Sequence, residues 1–244
     1  MEDCEIAIMG KQEKNHWWFK AKRRLILFLI DKYSLKKNKS KVLDVGCGTG
    51  QLLCELKTEG YSVCGVDVSK TAVDYCAKKS ICVSNTYFQN FSPNQIFDLI
   101  VASDFLEHVK NDANTLKKIN KLLDIQGHLI LTVPFHNFLW SYHDESLHHF
   151  RRYSHKDIMG KLKKAGFKVK MFSHWNFFLF TPVFLFRLLS NILKSKHFSD
   201  TNDIPPQFIN SILYNVLNFE NYLISKGIQF PIGVSGVFVC EKIK

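Results

Sequence analysis

Three glycines crowd into the nine residues Val42-Leu43-Asp44-Val45-Gly46-Cys47-Gly48-Thr49-Gly50, after an apolar run and just before an apolar-periodic one starting at Leu52. A buried strand, a turn with no room for side chains and the first turn of a helix satisfy that order. In an open parallel sheet such a junction brings backbone N–H groups and a helix N-terminus against a nucleotide-like ligand. A glycine turn alone is weak evidence of a ligand. Its weight rests on partners further along the chain.

Those partners follow in register. Helix 51–59 stops at Gly60, and strand 61–67 ends on Asp67, about 20 residues beyond the first glycine, the interval at which an acidic group reaches a ribose hydroxyl. Ser69 caps a helix over 70–79, and a third strand falls within 81–88. Phe97-Asp98-Leu99-Ile100-Val101-Ala102 reads as a buried strand. A helix over 112–123 and a strand over 129–133, ended by Pro134, come next. Strand and helix alternate throughout, which predicts an α/β fold with a parallel sheet.

Upstream, His16-Trp17-Trp18-Phe19 opens a helix over 17–33 that carries Lys22-Arg23-Arg24 and an apolar block. Adjacent tryptophans on one helix are not expected to face the same core, so one of them lies over a ligand site or packs a lid. Residues 1–14 carry little pattern and are expected to be mobile, and 34–41 form a polar stretch.

After Pro134 the rhythm changes. Residues 135–153 are long for a loop and dense in aromatic and imidazole groups, and long loops in compact domains are usually functional. A helix over 155–165 and a strand over 167–172 follow. Segment 176–193 is apolar all round apart from Pro182 and Arg187, and short of a clean bilayer span. It predicts a buried helix or one lying in a membrane interface. A polar linker (198–207), an amphipathic helix (208–223) and a last strand (234–240) complete the chain. The expected organisation is an N-terminal helical lid (1–40), a core (41–175 and 233–244) and a Phe-rich helical cap (176–232).

Seven cysteines without CxxC or CxxH spacing predict reduced core thiols in a cytoplasmic protein, and no secretory signal is expected at the N-terminus. The net charge of +11 admits nucleic acid or an anionic membrane. Spread as lysines along helices, it is first of all a solvated surface.

With these elements in register, the chain resembles class I S-adenosylmethionine-dependent methyltransferases over residues 15–175 and the terminal strand. It is similar to the ubiquinone-biosynthesis O-methyltransferases in its tryptophan pair and its Leu106-Glu107-His108-Val109 segment. It is also similar to bacterial methyltransferases carrying HWWF and an LWSxHD…HxRRY loop. The resemblance implies a doubly wound, Rossmann-like seven-stranded sheet of order 3-2-1-4-5-7-6. It implies S-adenosyl-L-methionine as cofactor and S-adenosyl-L-homocysteine as product. Gly46, Cys47 and Gly48 would pass beside the amino-acid end, with Asp44 ordering the turn. Asp67 would hold the ribose and Val68 the adenine face, with Asn90 and Phe91 flanking the adenine. Ser103 would line the methionine portion, and Arg24 (or Arg23) would reach the cofactor carboxylate, with Trp18 over the site. Asp104, Glu107 and His108 stand where the quinone relatives hold a divalent metal, which would suit Mg²⁺; alternatively Glu107 and His108 brace the helix that follows.

Methyl transfer is an in-line displacement that needs positioning and, often, removal of one proton. His143 beside Asp144, or His148 or His149, suits a general base; the alternative is that these histidines hold the loop. Arg151 and Arg152 suit a clamp on an acidic acceptor, or a brace. The Phe-rich cap points to a small hydrophobic or lipid-linked acceptor, with O-methylation the expected reaction, or to peripheral membrane contact or a homodimer. RNA methylation is the rival reading and lacks an Asn-Pro-Pro-Tyr motif or an appended RNA-binding module. A non-catalytic cofactor-binding scaffold is the second.

Overall fold

The computed structural model describes residues 10, 12–33, 40–192 and 204–243. Most of the polar stretch 34–41 and of the linker 198–207, and residues 1–9 and 11, lie outside the described residues.

β1 (Lys41–Val45) is buried on both faces, and its parallel neighbours are β2 (Ser62–Asp67) and β4 (Phe97–Ser103). β3 (Val83–Asn85) extends the β2 edge, and β5 (Leu123–Pro134) runs parallel to β4. The antiparallel β7 (Ser235–Lys242) inserts between β5 and β6 (Phe167–Trp175), giving the order 3-2-1-4-5-7-6 that the resemblance implied. The direction of winding reverses between β1 and β4, so a crevice opens at their C-terminal ends. Asp44, the glycine turn, Ser103 and Asp104 all lie on that edge.

Period-2 alternation splits the core by face. Leu43, Val45, Ile100, Leu131 and Phe238 pack on one side of the sheet. Val42, Leu99, Val101, Ile130 and Val239 pack on the other, under Leu25, Ile26 and Leu29 of α1 (Trp17–Lys32). The remaining helices are α2 (Gln51–Thr58), α3 (Lys70–Lys78), α4 (Asp112–Leu122), the short α5 (Tyr142–Ser146) and α6 (His155–Lys164). Between β6 and β7 the chain forms α7 (Phe180–Ile192) and α8 (Gln207–Ser225). α8 is tied to the lid and the sheet through Asn221, whose amide donates to Ala21 O (2.7 Å) while its carbonyl accepts from Trp175 Nε1 (2.8 Å).

One expectation fails here, and a second keeps only its interfacial alternative. Trp17 and Trp18 pack against the same cluster, because α8 wraps around α1: Trp17 N donates to Asn210 of α8 (2.9 Å), while the Trp18 ring lies 6.0 Å from that of Trp175. Helix 176–193 was expected to be buried if it did not lie in a membrane, and it begins only at Phe180. Its Leu185, Phe186, Leu188 and Leu189 are exposed, whereas Arg187 is buried. A buried ion pair sets its rotation, as the next subsection describes. Among the described residues, no helix is long and apolar enough to cross a membrane.

Candidate functional site

The β2 side of the crevice is made mostly of backbone. Gly46, Gly48 and Gly50 take φ of +70°, +51° and +75°, the left-handed region open to glycine at no steric cost. A Cβ on Gly46 would come within 2.8 Å of the Phe105 ring, and one on Gly50 within 2.6 Å of Cys76 Sγ. The turn leads into α2, whose first N–H groups have no side-chain cap. Asp67 closes β2 and splits its carboxylate: Oδ2 accepts from Gly48 N and Oδ1 from Ser69 N, both at 2.9 Å. Beyond it Val68 is 54% exposed, and its carbonyl accepts from Asn85 Nδ2 at 2.9 Å. Asp44 is buried behind the turn; burial foremost, and then the charges of Glu13 and Asp67, push its carboxyl up to about 8.

The N-terminal segment, expected to be patternless, crosses this turn. Thr49 donates its hydroxyl to the Glu13 carboxylate, and Gly10 packs on Tyr75 and Thr49. Arg23 fixes the segment, donating from Nη1 to Glu13 O and from Nε to Glu55 (2.8 Å). Arg24 is turned out to solvent over the Phe28 ring (4.3 Å), so the expectation that it reaches a cofactor carboxylate is corrected: its neighbour takes the inward face of α1. Phe91 is likewise corrected to a core residue, buried against Phe88, while Asn90 is exposed. Tyr87, at 66% exposure, is the aromatic ring that this segment leaves outside.

The β4 side is made of side chains. Ser103 Oγ meets Thr132 Oγ1 (3.0 Å), and Thr132 donates to Asp104 Oδ1 (2.8 Å). Asp104 also pairs with Lys22, which reaches down from α1 and is buried, not solvated as its basic cluster had suggested. The Lys22 ammonium lies 3.3 Å from the centroid of the Trp18 ring and 5.6 Å from that of Trp175, a cation–π arrangement. Burial pushes its pKa well below the ordinary lysine range, against the pull of Glu107.

The histidine loop closes over this side through Asp144. That fully buried carboxylate accepts from Arg152 Nε (2.8 Å) and Ser141 N (3.1 Å), meets His149 Nδ1 at 2.9 Å, and has Arg187 of α7 at 3.6 Å. Burial works to raise its pKa, but His149, Arg152 and Arg187 overcome that and hold it well below the carboxylate range. Arg152 also donates to Phe135 O (3.0 Å), and Arg187 to Leu139 O (3.0 Å). Asp144 and Arg152 are therefore a buried brace, which corrects their expected catalytic role. Arg151 is a brace as well, paired with Asp112 at 2.9 Å. His148 is exposed at φ +55°, away from any buried proton transfer. His143 packs its ring 6.4 Å from His149.

His149 is the loop histidine brought inward. One donor atom each from Glu107, His108 and His149 lies within 4.8 Å of the others. Asp104 is not in this group, because Lys22 and Thr132 engage it; the expected metal trio of Asp104, Glu107 and His108 is corrected to that extent. Glu107 is 1% exposed, and neither carboxylate oxygen has a hydrogen-bond partner among the described residues. Nothing in the local sequence joins His149 to Glu107; only the loop's closure does.

Residues 15–170 match the family model described as a methyltransferase domain. Among curated proteins, a ubiquinone biosynthesis O-methyltransferase of Coxiella burnetii is 31% identical over 136 residues, 50% of this chain and 58% of that one. The chain spans about half the length of the curated relatives it matches. Among solved structures, the cyclase SpnF superposes with a TM-score of 0.60 at 18% identity, covering 93% of this chain and 82% of the other. The N-methyltransferase NodS of Bradyrhizobium japonicum, in complex with S-adenosyl-L-homocysteine, gives 0.54 at 16% identity over 68% and 83%. At such identities these likenesses establish the fold alone.

Proposed function

Because this chain belongs to the methyltransferase-domain family, we propose that it transfers a methyl group from S-adenosylmethionine to an oxygen of a small hydrophobic or lipid-linked acceptor. The observation that carries the reading is Asp67, whose carboxylate stands at the end of β2 anchored by the N–H groups of Gly48 and Ser69. Each oxygen keeps a lone pair, enough to accept from the two ribose hydroxyls. In this reading the methionine end lies over Gly46–Gly48. The Asp44 carboxyl, held near neutrality, gains its charge back beside the cofactor's ammonium group. The adenine lies on the exposed Val68, edged by Asn90 and Tyr87. Ser103 borders the sulfonium end.

The acceptor enters between Trp18, Lys22 and Asp104. When bound, S-adenosylmethionine would supply the methyl group and leave as a neutral thioether, and the acceptor's proton would pass to an imidazole of the histidine loop, His143 or His149. The apolar faces of α7 and α8 and the ubiquinone-biosynthesis names of the relatives support a lipid-like acceptor. The same faces also suit peripheral membrane contact or a homodimer. Burial of Lys22 and Arg23 removes them from the basic surface that an RNA substrate would use.

Calorimetry with S-adenosylmethionine tests the reading. Binding is expected, and Asp67→Ala is expected to weaken it by about 1.5–3 kcal/mol, the range for a charge-assisted hydrogen bond. Absence of binding to the wild-type chain overturns methyl transfer. Unchanged affinity in the variant removes Asp67 from the ribose.

A further inference from the structure

Just beyond β5 stands an imidazole, His136, to which the methyl-transfer reading gives no role. We propose that His136 determines which acceptor is taken: its Nε2 accepts a hydrogen bond from a hydroxyl on the acceptor's apolar body, other than the oxygen that is methylated. The inference rests on the placing of the acceptor at the β4 side of the crevice, and it adds a second polar group to that acceptor.

His136 spends one ring nitrogen on the Gly233 carbonyl, while Nε2 is buried with no hydrogen-bond partner among the described residues. The ring is therefore the Nδ1–H tautomer, with its lone pair on Nε2. Burial foremost, and then His174 and Arg152, hold its pKa below the ordinary imidazole value, against the pull of the Gly233 carbonyl. The ring is thus neutral at pH 7 and offers a lone pair instead of a charge. A buried acceptor of this kind is costly until a donor meets it.

The ring is also locked in place. It stacks on His174 with centroids 5.7 Å apart and planes within 6°, and His174 Nδ1 itself meets Phe230 O at 3.0 Å. Phe135 lies edge-on at 5.9 Å, and His136 N donates to Tyr153 O at 3.0 Å. The backbone takes φ +65° and ψ 107°, a left-handed φ that residues other than glycine rarely adopt. Such a conformation persists where its surroundings over-determine it, as they do here, and it aims Nε2 in one direction.

Position and cover decide what could meet that nitrogen. Thr132, on the strand that leads to His136, hydrogen-bonds Ser103 and Asp104, so the imidazole stands on the same edge of the sheet as the sulfonium end. Over it lies the Phe138 ring, 5.0 Å away, nearly parallel and 60% exposed. Phe180 and Phe184 of α7 flank Phe138 at 6.5 and 5.9 Å. An aromatic cover with one fixed acceptor beneath it suits a hydrophobic molecule that carries one matching donor. The exposed Phe138 is the ring that such a molecule displaces.

The test uses the full chain with S-adenosylhomocysteine bound, and two probes that differ by one donor, benzyl alcohol and benzyl methyl ether. Affinities are read by ligand-observed NMR. The alcohol is expected to bind about 3–10-fold more tightly than the ether, as one neutral hydrogen bond gives. His136→Phe keeps a ring in the stack and removes the lone pair; it is expected to bind both probes equally, at the wild-type affinity for the ether. His136→Asn, whose short side chain tolerates a left-handed φ, is made alongside and should also lose the preference. His174→Leu is expected to lower the alcohol-to-ether ratio without touching either probe. A wild type that binds the two probes equally, or neither, overturns the proposal. So does a preference that persists in either His136 variant shown to be folded by circular dichroism. S-adenosylmethionine binding, measured in parallel, separates the two readings: its absence from the wild type overturns methyl transfer, whereas intact cofactor binding without a probe preference overturns the role of His136 alone.

Discussion

On the β2 side of the crevice the chain offers main-chain N–H groups, left-handed glycines and one carboxylate, all within 25 or so residues of one another. On the β4 side it offers ionisable side chains from four separate segments: Lys22 of α1, Asp104 and Glu107 after β4, Asp144, His149 and Arg152 of the histidine loop, and Arg187 of α7. The first arrangement suits a ligand whose shape is fixed, because backbone geometry varies little with side-chain identity. The second is a network in which each charge is tolerated only because another is present. Cofactor recognition is thus local, and acceptor recognition depends on how distant segments close.

The contrast is broken most directly at Asp144. Its replacement by Ala leaves Arg152 and Arg187 buried without their carboxylate, and a loss of about 3–5 kcal/mol is expected in denaturant unfolding. If the loss were under about 1 kcal/mol, the β4 side would not depend on the network. On the glycine side, Gly46→Ala is expected to cost about 2 kcal/mol of stability, from the left-handed φ and the contact with Phe105. It should also weaken S-adenosylmethionine binding in calorimetry. Full retention of both would mean the turn has slack.

A third prediction concerns the cap. Glu220 of α8 is buried and accepts from the N–H groups of Phe177 and Phe178 at 3.0–3.3 Å. Burial raises its carboxyl to about 7, with those N–H groups opposing. The folded state therefore holds the proton more tightly than the unfolded chain does. Its contribution is complete below pH ~4.5 and is lost as pH rises through 7, by ~3 kcal/mol. Glu220→Gln should flatten that part of the stability profile between pH 5 and 8; an unchanged slope would place the titration elsewhere. The smallest effect is expected at Arg24→Ala: cofactor affinity within about twofold of wild type and stability within ~0.5 kcal/mol, as for an exposed side chain. A large loss of affinity would restore Arg24 to the cofactor site.

What could be read in advance follows the same division. The strand order came with the resemblance, and the structure has it. Helices α1 to α4 begin where Trp17, Gln51, Lys70 and Asp112 follow identifiable stops or caps. β3 is shorter than expected because an edge strand needs to pair on one side only. Phe91 was misread because an aromatic near a ligand and an aromatic in a core look alike in a sequence. Arg23 and Arg24 are adjacent, and the rotation of α1 that separates them is set by contacts with α8, some 200 residues away. Arg187 was read as an interruption in an apolar helix. It is the residue that fixes the helix, and the leucines around it are exposed.

The sequence by itself determined the sheet, the glycine turn and the acidic end of β2, because period-2 burial, positive φ and capping are local requirements. Tertiary structure alone decided which tryptophans and arginines face inward, which histidine meets Glu107, and that Lys22 holds Asp104. Buried charges are stable only beside partners, and the pairs Lys22–Asp104 and Arg187–Asp144 join residues tens of positions apart, beyond the reach of any local pattern.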